Sequence, residues 1–272
     1  MPRIGATQLS FPSFRGATRL LVLTNLVAFF LLLILGSTNE DLFRWLVLHG
    51  AFIPQAFLHW WIWQPLTYSF VQLGITSTLL SLLGLWFLAG FLENFHERDW
   101  VLSLYAVSVL ATAAAGLVIY LGHVALGYAL PEIPLTGSFG GLFGFIVVIG
   151  VLYGDMEFML FPLPISIKAR YVAIIAGLVA TAYLFSSMRL YGFAQLGGAL
   201  GGFLFMRMAP RRGISLVFSE KWYGMRNGYY RWKRRRAAKK FEVYMRSQGR
   251  TVKFDGSGKQ LDKDHDDKKR WN

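Results

Sequence analysis

Six apolar runs, each near the length that crosses a bilayer, constrain this chain more than any other feature. A spanning helix needs about 20 predominantly apolar residues to cross about 30 Å of hydrocarbon. The first run is residues 20–35, LLVLTNLVAFFLLLIL, and five more follow at about 76–92, 101–121, 137–153, 171–185 and 190–206. No small-x-small cleavage site follows the first run, and Ser37-Thr38-Asn39-Glu40-Asp41 leads into further apolar sequence. The segment therefore reads as retained and not as a secretory signal. Composition agrees, with 54% hydrophobic and 16% charged residues, where a soluble domain carries about a quarter charged. A disordered chain is excluded, and a cytosolic enzyme is argued against. The absence of cysteine excludes disulfide scaffolds, thiolate metal sites and cysteine nucleophiles. The expected fold class is an all-α membrane protein with a six-helix bundle.

Charge divides the chain. Of 28 Lys/Arg and 15 Asp/Glu, residues 209–272 hold 19 and 7, so the first 208 residues are nearly neutral. Three parts are expected: an N-terminal segment (1–19), a membrane domain (20–208) and a basic tail (209–272) that is disordered from about 255, where the sequence becomes low-complexity and charged. Lys and Arg favour the cytoplasmic side. Arg3, Arg15 and Arg19 at one end and the tail at the other place both termini inside, which demands an even number of passes. Lys168 and Arg170 then lie in an inner loop, while 122–136, with no Lys or Arg, faces out. The expectation is an integral multi-pass protein of the plasma (inner) membrane, with the lipid bilayer as its first partner. Basic groups beside a membrane gain about 1 kcal/mol each from anionic lipid. The same composition fits nucleic acid, but tethering beside the sixth run makes lipid the nearer polyanion, so anionic lipid is expected at the tail and nucleic acid is not.

Between the first two runs, residues 39–73 hold Trp45, Phe52, Phe57, Trp60, Trp61, Trp63 and Tyr68, broken by Pro54 and Pro65. Aromatic rings with a polar edge prefer the membrane interface. An outer interfacial loop with short helices is expected there. Small residues mark helix contacts elsewhere. Gly137, Gly140, Gly141 and Gly144 in the fourth run, and Gly197, Gly198, Gly201 and Gly202 in the sixth, recur at spacings of three or four. Small residues so spaced let backbones approach closely in lipid, where packing holds helices together.

These features resemble the rhomboid family of intramembrane serine proteases. Trp63-Gln64-Pro65-Leu66-Thr67-Tyr68-Ser69-Phe70 is similar to that family's Trp-Arg-x-x-Thr-Tyr-x-Phe run, with Gln64 in place of arginine. Leu85-Trp86 through Glu93 resembles its Leu-Trp-x-x-Gly-x-x-x-Glu end with one spacing changed, and Phe161-Pro162-Leu163-Pro164 through Lys168-Ala169-Arg170 resembles the loop before its fifth pass. The resemblance covers about 20–207. It implies a nucleophilic serine opening the fourth pass, a histidine base ahead of Leu-Gly-Gly in the sixth, and a His-x-x-x-Asn pair on the second. Aligned on Gly140 and Phe143-Gly144, the nucleophile position holds Phe139. Ahead of Leu196-Gly197-Gly198 the base position holds Gln195, and the pair on the second run falls at Ser77 and Ser81.

A serine attacks a carbonyl only when a base takes its proton. Phe139 offers no nucleophile and Gln195 does not titrate. Ser138 is the one displaced candidate, but one helix position is a rotation of about 100°, which turns it off the face shared with the sixth run. It reads instead as a packing residue bonded to its own helix, and Gln195 as a link between helices. Of His49, His59, His96, His123 and His265, only His123 lies where it could approach Ser138. The chain is thus expected to be a catalytically degenerate rhomboid-like protein that holds transmembrane segments of client proteins without cutting them. An active protease using Ser138 and a plain membrane anchor are the competing readings. No HExxH, acidic pair or His cluster is present, so no metal or cofactor is expected. Asn25, the isolated amide of the first run, reads as a helix contact, and a transporter is disfavoured because no ionisable residue lies deep in a run.

Overall fold

A computed structural model describes residues 12–127, 134–160, 165–186, 189–208 and 214–248. Glu132, the Phe161–Pro164 part of the loop motif, His265 and everything expected beyond 255 lie outside the described residues. Two compact units divide the chain at Ile214.

The first unit is a helical bundle. α1 (Gly16–Thr38) is followed by short helices α2 (Glu40–Gly50), α3 (Pro54–Leu58) and α4 (Gln64–Thr67), then a 3-10 turn at Tyr68–Phe70. α5 (Ile75–Leu92), α6 (Arg98–Ala125) and α7 (Phe139–Leu152) come next, then α8 (Ala169–Leu184) and α9 (Arg189–Met208). Among the described residues, three helices are long and apolar enough to cross a membrane: α1, α5 and α6. α7 and α8 are apolar but only 14 and 16 residues long. The outward faces carry Val27 and Ile34 of α1, Leu79 and Leu80 of α5, Val118 of α6 and Leu178 of α8, all exposed. An apolar surface of this extent suits lipid rather than water.

Local sequence explains the helix ends. Asn39 caps α2, its Oδ1 accepting from Leu42 N at 3.0 Å, with Glu40 and Asp41 in the first turn complementing the helix dipole. Proline opens α3 and stands in the first turn of α4, where its missing N–H is not needed. α1 has no capping side chain of its own. Its first N–H groups are capped from the far end of α5 instead: Glu93 accepts from Ala17 N, from Thr18 N at 3.2 Å and from the Thr18 hydroxyl at 2.6 Å.

Two features depart from the expected plan. The chain is not wholly α-helical, because β1 (Glu157–Leu160) and β2 (Ile165–Lys168) pair antiparallel, Glu157 opposite Lys168. Ile165 and Ile167 alternate with Ser166 and Lys168, a strand pattern that the neighbouring prolines obscured. α6 also runs on to Ala125, shortening the outer loop, and Leu135 beyond it exchanges both backbone hydrogen bonds with Phe52 at 3.0 Å.

α7 is the innermost helix. It touches α5, α6, α8 and α9, and Leu142, Phe143, Phe145, Val148 and Ile149 are buried along it. α8 lies at the rim, with only Ala169 and Ala180 buried. The second unit is described over α10 (Ile214–Ser247), one helix of 34 residues.

Candidate functional site

Glycine brings α6, α7 and α9 together. A Cβ on Gly198 would lie 2.4 Å from the carbonyl oxygen of Gly140 and 2.6 Å from the Thr112 hydroxyl, and one on Gly202 would lie 2.7 Å from Gly144 Cα. α7 and α9 thus touch backbone to backbone. Gly197 and Gly201 turn the other way, where a Cβ would meet the methyl groups of Ala115 and Ala111 on α6 at 2.3 Å each. On α7, Gly141 lies under the Tyr105 ring and Gly144 under the Ser108 hydroxyl.

At the mouth of this seam the chain enters α7 through Gly137, at φ +88°, whose N–H donates to Tyr68 O at 3.0 Å. Ser138 follows, fully buried, and it does not bond to its own helix as the sequence suggested. Its Oγ accepts from Gln72 Nε2 at 3.2 Å. The same amide nitrogen donates to Asn25 Oδ1 at 2.9 Å, and Asn25 Nδ2 donates to Leu21 O at 2.9 Å. Both N–H groups of Gln72 are therefore used, and α1, the segment before α5 and the start of α7 are tied by three uncharged side chains. Gln72 escaped the sequence reading. Its signal was an isolated amide in the apolar stretch Phe70-Val71-Gln72-Leu73.

The four positions that the resemblance assigned to catalysis share no hydrogen bond with one another among the described residues. Phe139 is the first residue of α7 and packs, partly buried, on the core. Gln195 is buried in α9, and its Oε1 finds no hydrogen-bond partner among the described residues, so it is not the interhelical link expected. Ser81 is fully buried on α5, also with an unpartnered hydroxyl. Ser77, half-buried in the first turn of α5, bonds back to Leu73 O at 2.7 Å and Gly74 O at 3.0 Å.

The chemistry available to Ser138 is narrow. Among the described residues no imidazole, carboxylate or amine is bonded to it. His123 bonds Ile119 O of its own helix at 3.0 Å. His49 and His59 likewise bond back, to Trp45 O and Gln55 O. His96 stacks on Trp100 with ring centroids 3.7 Å apart and places Nε2 3.1 Å from the Tyr153 hydroxyl. Burial there disfavours the charged imidazolium and lowers its pKa below the ordinary histidine value.

The aromatic motif has a role that sequence alone did not show. Gln64 Nε2 donates to Leu48 O at 3.1 Å, Trp63 Nε1 to His49 O at 3.0 Å and the Thr67 hydroxyl to Gly50 O at 2.9 Å. Three successive carbonyls at the C-terminus of α2, which no intrahelical N–H can reach, are satisfied by one motif. Gln64 is fully buried, and its Oε1 accepts from Ile53 N at 3.2 Å.

Beside this network lies a hollow of about 330 Å³ between α1, α2 and residues 72–74. Phe29, Leu32, Leu33, Phe43 and Leu73 line it, together with the polar Ser37 and Gln72.

Fold and site together define an integral membrane protein whose central helices close on a buried, uncharged polar network. The chain belongs to the family described as "Eukaryotic integral membrane protein (DUF1751)", which matches residues 19–212 and falls within the rhomboid-like superfamily. No curated protein matches it.

Proposed function

We propose that this chain is a rhomboid-like pseudoprotease, which holds transmembrane segments of client proteins without cleaving them. The observation that carries the reading is the state of Ser138: buried, bonded to a neutral amide and without a base, so that its hydroxyl is used for structure. Phe139 and Gln195, at the family's nucleophile and base positions, add no reactive group. The mostly apolar hollow that includes Gln72 and Ser37 in its lining is of a size to take one or two side chains of a client helix.

In this reading the body crosses the membrane six times with both termini in the cytoplasm. α7 supports that count despite its length, because a helix enclosed by four others meets little hydrocarbon and need not match the full thickness. α9 has 20 residues, enough to span about 30 Å; its glycines and terminal arginines lower its hydropathy, not its reach. The basic tail then lies at the cytoplasmic surface, where anionic lipid attracts it.

The test has two arms. A serine-reactive fluorophosphonate should leave the wild type unlabelled, and Ser138→Ala should change nothing. Labelling that disappears in Ser138→Ala would make the protein an active protease with a rearranged site. In the second arm, a tagged single-pass reporter reconstituted with the protein in liposomes should co-purify at full length. Gly36→Leu should weaken that capture by filling the hollow, since a Cβ at Gly36 meets only Phe43, at an ordinary 3.6 Å. Equal capture by the variant would remove the hollow from the mechanism.

A further inference from the structure

α7 ends beside a cavity of about 550 Å³ that the proposed function leaves unused. The last turn of α7, residues 153–156 and Arg170 of α8 line it, and its volume falls in the range of about 300–1,000 Å³ typical of ligand sites. Asp155 and Glu157 follow α7 here, and Lys168 and Arg170 flank the start of α8. Ionised side chains are costly in hydrocarbon, so this end of the bundle lies at a membrane surface.

Both signs of charge meet at the cavity. The last carbonyls of a helix lack intrahelical partners. That of Ile149 accepts from Tyr153 N at 2.9 Å, but those of Gly150, Val151 and Leu152 accept no hydrogen bond among the described residues. A Cβ on Gly154 would lie 2.6 Å from Gly150 O, so glycine at 154 leaves that carbonyl uncovered. Bare carbonyls at the negative end of a helix favour a cation, and Asp155 adds a carboxylate beside them. Arg170 supplies the opposite charge. Its Nη1 lies 3.2 Å from Asp155 Oδ1, a pairing that leaves Asp155 Oδ2 and Arg170 Nη2 for a ligand. The guanidinium also lies 5.3 Å from the Tyr171 ring centroid, a cation–π contact.

A metal ion here would be repelled by the guanidinium, and a lone phosphate by the carboxylate and carbonyls. A zwitterion that joins an ammonium to a phosphate meets neither objection. A primary ammonium carries three N–H donors for the bare carbonyls, which a quaternary one lacks, and guanidinium is a strong partner for phosphate. Arg170, Ile174 and Leu178 follow at spacings of four on one side of α8, with Ile174 and Leu178 55% and 64% exposed. That row is an apolar track for an acyl chain, leading away from the charged end. We propose that the cavity binds the headgroup of a phosphatidylethanolamine-class lipid, its ammonium on Asp155 and the α7 carbonyls and its phosphate on Arg170. The inference does not rest on the client-holding role of the membrane body.

The test titrates the full chain in dodecyl maltoside micelles with dihexanoyl phosphatidylethanolamine, read by calorimetry. Saturable binding is expected, about tenfold or more tighter than for dihexanoyl phosphatidylcholine, which enters micelles but offers no N–H. Asp155→Asn and Arg170→Gln each remove one charge at an exposed position, so the fold survives, and each should weaken binding about tenfold. Equal binding of the two lipids, or equal binding by wild type and both variants, means partition without a headgroup site and overturns the proposal. Preference for phosphatidylglycerol would make this a plain anion site, and free phosphoethanolamine bound as tightly as the lipid would make it a site for a soluble compound. Either result overturns the assignment, as does the absence of binding.

Discussion

The glycine seam makes a quantitative claim that one pair of substitutions tests. In Gly198→Ala the new methyl lies 2.4 Å from Gly140 O and 2.6 Å from the Thr112 hydroxyl. The first of these is backbone in a neighbouring helix and cannot rotate away. An ordinary contact needs about 1 Å more, so α7 and α9 must separate along their interface or the side chain must be accommodated by strain; overpacking of this kind costs about 1–3 kcal/mol. Alanine also gains about 0.8–1.0 kcal/mol over glycine in a helix interior, which blurs a comparison with wild type. Gly177→Ala on α8 removes that ambiguity, because nothing lies within 4 Å of its Cβ and it carries the propensity gain alone. Gly198→Ala should therefore be less stable than Gly177→Ala by the packing term, about 1–3 kcal/mol. For a domain of this size each kcal/mol moves Tm by about 2–4 °C. Thermal unfolding of both variants in the same detergent, followed by fluorescence, measures it. Equal midpoints, or a higher one for Gly198→Ala, would refute the claim that α7 and α9 meet at their backbones.

Three further outcomes follow from the geometry. Glu93→Gln should lower stability by about 1–2 kcal/mol, because a neutral amide replaces the charged acceptor at the N-terminus of α1; a Tm equal to wild type would remove that cap from the fold's energetics. Gln64→Ala should destabilise by about 1–3 kcal/mol by leaving Leu48 O and Ile53 N unpaired beside a buried space, and a tryptic cut in α2 should become faster. His96 sets a pH dependence. Its folded-state pKa lies below that of the unfolded chain, so the unfolded state binds the proton more readily and stability falls as pH drops below the ordinary imidazole range. His96→Phe should flatten Tm against pH between about 7 and 5, and an unchanged slope would rule out His96 as its source.

The sequence carried the apolar runs and the small-residue periodicity because both are local: a helix in lipid must be apolar along its length, and close packing needs small residues at fixed spacing. What stayed hidden depends on partners distant in sequence. Glu93 looked like the end of a motif, yet its role is set by Ala17 and Thr18, about 75 residues earlier. Gln64 looked like a departure from a family pattern, and its meaning appears only when α2 folds back on it. The hairpin at 157–168 was missed because four-residue strands leave too little pattern beside prolines. Ser138 was correctly singled out as a position but assigned the wrong partner, since Gln72 lies 66 residues away from it.

The pairing of Ser138 with Gln72 bears on the proposed role. A hydrolase site keeps a nucleophile free, a base near neutrality and water within reach, and each of these weakens packing. Here Asn25, Gln72, Ser138, Gln195 and Ser81, buried polar side chains of the bundle, are all amides and hydroxyls that do not titrate at working pH. Buried neutral groups avoid the desolvation penalty of an ionised one, so the region can close around glycine-thin helices without a charged group at its centre. The Oε1 of Gln195, the Oγ of Ser81 and the hydroxyl of Tyr105 are buried without a hydrogen-bond partner among the described residues. None of these groups supplies a base or a freed nucleophile, so in the proposed function the core supports the fold around a held segment and gives no means of cutting it.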